Sequence, residues 1–241
     1  MNYSQNNDLL SKYARLVMIP RIATFLFILL QLIGMQVYPG GTMYNSSVVG
    51  YTFTENFFSD MGSYTARNGE PNYLSMIIFS FSLTIVGITF IFYYLTLPSL
   101  FKNNMINYYF SLIGTIFAFG GSICLIGTGL TPSDLVLDSH KFFANNIFNC
   151  FLVTAFFYTL AIFRSNKVLK RYAFGYLIFF LSIVFYVGVL NFAPSADVNN
   201  SALIFQVISQ KLIVASFIFS VLYQTFGFSH LGILNNIKEK K

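Results

Sequence analysis

The sequence predicts an all-α membrane protein, a bundle of six transmembrane helices with the N and C termini cytoplasmic. Three observations carry this expectation. The 241 residues are 56% hydrophobic and only 9% charged, with 30 Phe and 16 Tyr. A soluble domain averages about 25% charged residues. Six long apolar runs divide the chain, each close to the roughly 20 residues that cross a hydrocarbon core. The loops between them alternate in sign. Lys12, Arg15, Arg21, Lys102, Arg164, Lys167, Lys170, Arg171, Lys238, Lys240 and Lys241 fall on one side. The other side carries Arg67 and Lys141 against Glu55, Asp60, Glu70, Asp134, Asp138 and Asp197. Cytoplasmic loops are enriched in Lys and Arg, so the first side is expected inside.

The elements follow in order. Residues 1–17 form a cytoplasmic interfacial segment: Leu9, Leu10, Tyr13, Leu16 and Val17 recur at helical spacing, with Asp8 as its N-cap. The bundle occupies residues 18–226. Its first span runs from about Pro20 to Val37, with Pro20 at a helix start where a missing N–H costs nothing. Tyr38-Pro39-Gly40-Gly41 then breaks the chain into the longest loop, residues 38–73. Its mixture of aromatic and polar side chains is expected to fold back on the bundle.

The second span covers about Leu74 to Leu97 and stops at Pro98. The third, about Tyr108 to Leu130, carries Gly114, Ala118, Gly120, Gly121, Ser122, Gly127 and Gly129. Small residues four apart let helix backbones approach closely in lipid, so this helix is expected at the centre. A loop over 131–140 precedes the fourth span, about Lys141 to Phe163. The fifth spans about Tyr172 to Phe192 and the sixth about Ala202 to Phe226. Residues 227–241 form a basic cytoplasmic tail.

Several function classes drop out. The net charge of +6 sits at the ends of apolar runs, as topology requires, and gives no reason to expect nucleic acid as a partner. Gly127-x-Gly129 lacks the rest of a nucleotide fingerprint, and there is no P-loop or nucleophile elbow. No cofactor motif is present. One histidine, His140, lies on the loop side and the other, His230, on the opposite side, which leaves no three-histidine metal site. Cys124 and Cys150 both lie in apolar runs and read as buried free thiols.

Polar groups at membrane depth are costly and mark the candidate site. Lys211 stands roughly ten residues into the last span, about 15 Å from its outer end. It reads either as a structural counter-ion to a loop carboxylate or as a headgroup anchor. Gln206 and Gln210 share a face of the same helix. Asp138, Asn145 and Asn149 share a stripe on the fourth, joined by Lys141, and are expected to face the bundle interior. That stripe is either interhelical glue or the wall of a polar pocket. Asp138-Ser-His140 with Asp60 offers weak acid–base or cation-binding chemistry, and a helix cap is the plainer reading.

Four segments together carry a resemblance: Tyr38-Pro-Gly-Gly41, Asn56-Phe-Phe-Ser-Asp60-Met-Gly62, Gly129-Leu-Thr-Pro132 with His140, and Gln210-Lys211. The chain resembles the bacterial and archaeal membrane family called domain of unknown function 998, which looks related to the DRAM/FRAG/Sfk-type six-helix proteins. Met61 departs mildly from that pattern, in which Leu is commoner. The resemblance implies a six-helix bundle with polar motifs gathered on the outer face, in a prokaryotic cell membrane. It adds Ser59, Asp60 and Gly62 to His140, Gln210 and Lys211 as site candidates.

The resulting expectation is a multi-pass protein that binds or processes a membrane lipid or small amphiphile in an outward-facing polar pocket. Asp60 and His140 would cover its mouth, with Gln210 and Lys211 on its floor. A non-catalytic assembly or sensor subunit and a small-solute transporter are the alternatives.

Overall fold

Membrane-length apolar runs become helices because a chain in lipid must satisfy every backbone polar group internally. The computed structural model describes residues 3–166 and 168–229, with side chains from residue 7 onward. Lys167, His230 and the basic tail from residue 230 onward lie outside the described residues. The described part is all-α, with helices α1 (Tyr3–Tyr13), α2 (Ile19–Gln36), α3 (Tyr73–Thr96), α4 (Met105–Leu130), α5 (Leu137–Phe163), α6 (Ala173–Phe192) and α7 (Asn200–Ser229). Among the described residues, six segments are long and apolar enough to cross a membrane: Asn7–Gln36, Tyr73–Leu100, Met105–Leu130, Leu137–Phe163, Lys170–Phe192 and Asn200–Ser229. The protein is an integral, multi-pass helical bundle.

Two boundaries differ from expectation. The first span does not start at Pro20. A π-helical turn at Ala14–Met18 joins α1 to α2 without a break. Proline in a helix interior clashes with the carbonyl four residues back. The wider π turn, in which the Ile19 N–H reaches back to the Ala14 carbonyl, lets the helix pass that point. Leu16 and Val17 are consequently buried in the core. The helix α5 also begins early, at Leu137, which places Asp138 and His140 in its first turn instead of in a loop. Asp138 there is favourably placed against the helix dipole.

Consecutive helices pack side by side from α2 to α7, and α7 closes the ring on α2 along its thinnest seam. The α4–α5 seam is the most extensive, and glycine explains it. A Cβ at Gly114, Gly121 or Gly127 would lie within 2.9 Å of the Tyr158, Phe151 or Phe143 ring respectively. Three aromatic rings of α5 therefore seat directly on the α4 backbone. Cys124 and Cys150 face each other across this seam as free thiols.

The ends of the ring differ. The long loop caps one end, here termed the loop face. Toward the other end, Tyr93, Tyr94, Tyr158 and Tyr176 form a buried aromatic knot, in which Tyr158 and Tyr176 stack at 5.4 Å. The outward surface is apolar, with Phe25, Ile116 and Phe142 each more than half exposed, as a lipid-facing surface requires.

Candidate functional site

The long loop is a built structure. Tyr38-Pro39-Gly40-Gly41 turns the chain back across the loop face, with positive φ at Gly40 and Gly41. A Cβ at Gly41 would stand 2.3 Å from the Asn68 nitrogen, so only glycine fits. Isolated β-bridges pair Gly40 with Val49 and Thr65 with Pro71. Between them lies a 3-10 turn, Phe58–Gly62, that dips into the ring. Gly62 makes this approach possible: a Cβ there would meet the Phe79 ring of α3 at 2.5 Å.

Asp60 is the hub of this loop. It is 3% exposed. Its Oδ1 accepts from Arg67 Nε at 3.2 Å and Nη2 at 3.0 Å. Its Oδ2 accepts from the Phe57 N–H at 3.0 Å and Asn56 Nδ2 at 3.1 Å. A carboxylate offers about four lone-pair sites, and all are occupied by the loop itself. Asp60 is thereby committed to structure rather than presented to a pocket. Asn72 works beside it, donating from Nδ2 to the carbonyls of Met61 and Ser63 at 3.0 and 2.8 Å. Tyr38 accepts the Arg67 N–H at 3.0 Å, and burial pushes its phenol up to about 12. The same cause raises Tyr51 further, so both stay neutral phenols, Tyr38 accepting from Arg67 and Tyr51 donating to the Asn56 carbonyl.

Lys211 ties the loop to α7. Its Nζ donates to the Asn56 carbonyl at 2.6 Å, which also accepts from the Tyr51 hydroxyl at 2.8 Å. The rings of Tyr51, Phe53 and Phe58 surround it at 5.4, 4.9 and 5.1 Å, within cation–π range. Among the described residues, Lys211 makes no direct salt bridge to a carboxylate; Asn56 stands between it and Asp60. Gln210 adds a second tie by accepting the Phe58 N–H at 2.9 Å. On the far side of the loop, Asp134 accepts the N–H groups of Tyr64 and Thr65 at 2.8 Å.

Beneath the 3-10 turn is a cavity of about 130 Å³ inside the helix ring. Its walls are apolar, with Phe90, Phe151, Phe179 and Phe217 deep in the bundle. Its polar lining consists of Ser59 from the roof, His140, Gln210, Thr128, Gln31 and Thr24. His140 is buried, and its Nδ1 meets the Thr131 carbonyl at 2.7 Å. A carbonyl only accepts, so Nδ1 carries the proton.

The structure thus brings Ser59, His140 and Gln210 to one cavity. Asp60 and Gly62 build its roof without lining it. Lys211 reaches from α7 to the loop and does not form the cavity floor. Gln206 is tied to the α6–α7 connection, donating from Nε2 to the Pro194 carbonyl at 3.0 Å. The stripe on α5 faces the other way from expectation: Asp138, Asn145 and Asn149 are exposed. The inward face of α5 is set by His140, Ala144, Ile147 and Phe151, spaced at three or four residues. The amides lie off that face.

Sequence reasoning missed Gln31, the single amide within the apolar run Phe25–Gly34, and missed Arg67 as the partner of Asp60. An isolated amide in a membrane span is itself the signal for Gln31. Among the described residues, no group of three or more His, Cys, Asp or Glu side chains gathers in one place. No family model matches the chain, and neither a curated protein nor a solved structure is significantly similar to it.

Proposed function

We propose that this integral membrane protein binds a small amphiphile in the cavity beneath the 3-10 turn, polar end toward Ser59, Gln210 and His140 and apolar end among the phenylalanines. The observation that carries the reading is the asymmetry of the lining, with a few polar groups near the loop face above aromatic walls. Binding sites for small molecules have this character. The volume bounds the ligand. Drug-sized sites run from about 300 Å³ upward, so a whole phospholipid does not enter and at most part of one chain does. Lys211 anchors the loop rather than a headgroup, which moves the reading away from anionic lipid. The resemblance to the domain of unknown function 998 family belongs to the same proposal. So does an orientation with the loop face outside a prokaryotic cell membrane, which the charge pattern supports and an impermeant label on the loop tests.

Ala144 lines the cavity, and Ala144→Leu is expected to fill it. The variant should lose any small amphiphile that copurifies in stoichiometric amount, as read by mass spectrometry. Its stability should stay level or rise by up to about 1 kcal/mol, as cavity-filling changes commonly do. The same amphiphile retained at the same stoichiometry would overturn the reading.

One observation favours a second reading, an assembly subunit. Asn149 lies twelve residues beyond Leu137, about 18 Å along the helix, near the middle of a hydrocarbon core about 30 Å thick. Neither Asn145 nor Asn149 has a hydrogen-bond partner among the described residues. Lipid tails offer none, and another protein helix does. Native mass spectrometry in lipid discs should then show an oligomer that Asn145→Leu with Asn149→Leu converts to monomer. A monomeric wild type removes this reading.

A further inference from the structure

One residue of the cavity wall carries a buried polar atom that no group among the described residues satisfies. Gln31 is 5% exposed. Its Nε2 donates to Ser82 Oγ at 2.6 Å. The Ser82 hydroxyl donates its own proton to the Phe79 carbonyl at 2.8 Å, so toward Gln31 it can only accept. This fixes the amide with its nitrogen toward α3 and its oxygen turned away. Gln31 Oε1 is left without a partner, and Gln31 lines the cavity. A buried acceptor without a donor is costly, and any donor that reaches it recovers that cost.

Most of the other polar lining has the same bias, and the donors it holds are the Ser59 hydroxyl and the Gln210 amide nitrogen. Thr128 donates its hydroxyl proton to the Cys124 carbonyl at 2.8 Å, leaving an oxygen that accepts. His140 carries its proton on Nδ1 toward Thr131, so in the neutral ring Nε2 also accepts. Among the described residues, the lining contains no carboxylate and no cationic side chain. The nearest organised carboxylate, Asp60, already holds four donors from the loop. An ammonium group would therefore enter an apolar site with no counter-charge, which is strongly unfavourable. Acceptors in excess, apolar walls and no charge describe the complement of a neutral donor.

We infer that the cavity selects a neutral apolar molecule bearing one hydroxyl, a phenol or primary alcohol about the size of one aromatic ring, with its O–H on Gln31 Oε1. The size follows from the volume, about 130 Å³, set against apolar protein cavities of about 150 Å³ that hold one benzene. The inference rests on the proposed reading of the cavity as a binding site and names the ligand class within it.

The test uses full-length protein in lipid discs, titrated with 4-fluorophenol and with fluorobenzene by fluorine NMR. Empty discs supply the correction for partition into lipid. Wild-type protein should bind the phenol about ten-fold more tightly than fluorobenzene, the worth of one buried hydrogen bond. Gln31→Met should bind both alike, with fluorobenzene affinity unchanged, which also shows an intact cavity. Equal saturable affinity for the two in wild type overturns the inference and leaves the cavity reading standing; water at Gln31 Oε1 would give that result. No saturable binding of either overturns the cavity reading itself. Tighter binding of 4-fluorobenzylammonium than of the phenol overturns the requirement for neutrality. If Gln31→Met fails to fold, the wild-type ratio alone decides.

Discussion

Asp60→Ala should destabilise the protein by about 3 kcal/mol, and the loss should begin in the loop. The sum comes from what the carboxylate leaves behind. The Phe57 N–H and the amide of Asn56 would lose their acceptor in a region where Asn56 is 0% exposed. A buried donor left unsatisfied costs about 1–3 kcal/mol. The Arg67 side chain is 39% exposed, so it regains water and adds little; exposed ion pairs are worth about 0–1 kcal/mol. Asp60→Asn should cost nearly as much. Its amide oxygen can face Arg67 or the Asn56–Phe57 pair, and its NH₂ must then confront donors on the other side. The measurement is unfolding in a mild detergent titrated with a denaturing one, with limited proteolysis of residues 37–72. Loop cleavage should rise before the helices melt. A loss below about 1 kcal/mol with an intact loop would show that the hub is not what holds the turn. Any binding defect in Asp60→Ala should track loop order, because no lone pair of Asp60 is free to act on a ligand.

How much of this was legible follows from what each residue responds to. The helices were legible because lipid imposes one constraint on every span, and length with apolarity reports it directly. Where that constraint met a local exception the reading slipped. Pro20 reads as a helix start, and only the π turn at Ala14–Met18, which has no sequence signature of its own, lets the helix continue. The α4 glycines were legible as a contact face because small residues have few other uses at that spacing. The α5 amides were misplaced for the complementary reason. A stripe of Asn says that partners are needed and does not say on which side they stand. Gln210 was legible as a polar group in an apolar run, His140 as the neighbour of Asp138, and Ser59 only through the resemblance, yet their convergence depends on the loop dipping into the ring. That dip depends on Gly62 against Phe79, a contact between residues seventeen apart in the chain that no periodicity reports. Asp60 and Lys211 were singled out correctly as unusual and assigned to a ligand, whereas their partners are in the loop itself.

Lys211 offers the sharper of the stability tests, because three contributions act on it with different signs. The Asn56 hydrogen bond stabilises, and a hydrogen bond to a charged group is worth about 1.5–3 kcal/mol. The three aromatic faces add about 0.5–2 kcal/mol. Burial of the ammonium opposes both; Lys211 is 7% exposed, and a buried charge without a direct counter-ion carries a penalty of several kcal/mol. The charge contributions therefore nearly cancel, and the aliphatic stem decides, since each buried methylene is worth about 0.8 kcal/mol. Lys211→Met keeps most of the stem and loses the charge, so its stability should fall by only about 1 kcal/mol. Lys211→Ala empties the aromatic cage as well, and should cost about 3 kcal/mol. Lys211→Glu should do worse than either, placing an acceptor against the Asn56 carbonyl and beneath the Asp60 hub. The order Met, Ala, Glu, read as unfolding midpoints in the same detergent titration, separates packing from charge. A Met variant as damaged as the Ala variant would mean that the cation itself holds the loop down. In either case the loop, once released, uncovers Phe58 and Ser59, and the cavity below them loses its roof. Ligand exchange in Lys211→Met should accordingly be faster than in wild type even where stability is nearly unchanged, because the tie that remains between α7 and the 3-10 turn, Gln210 to the Phe58 N–H, is one neutral hydrogen bond.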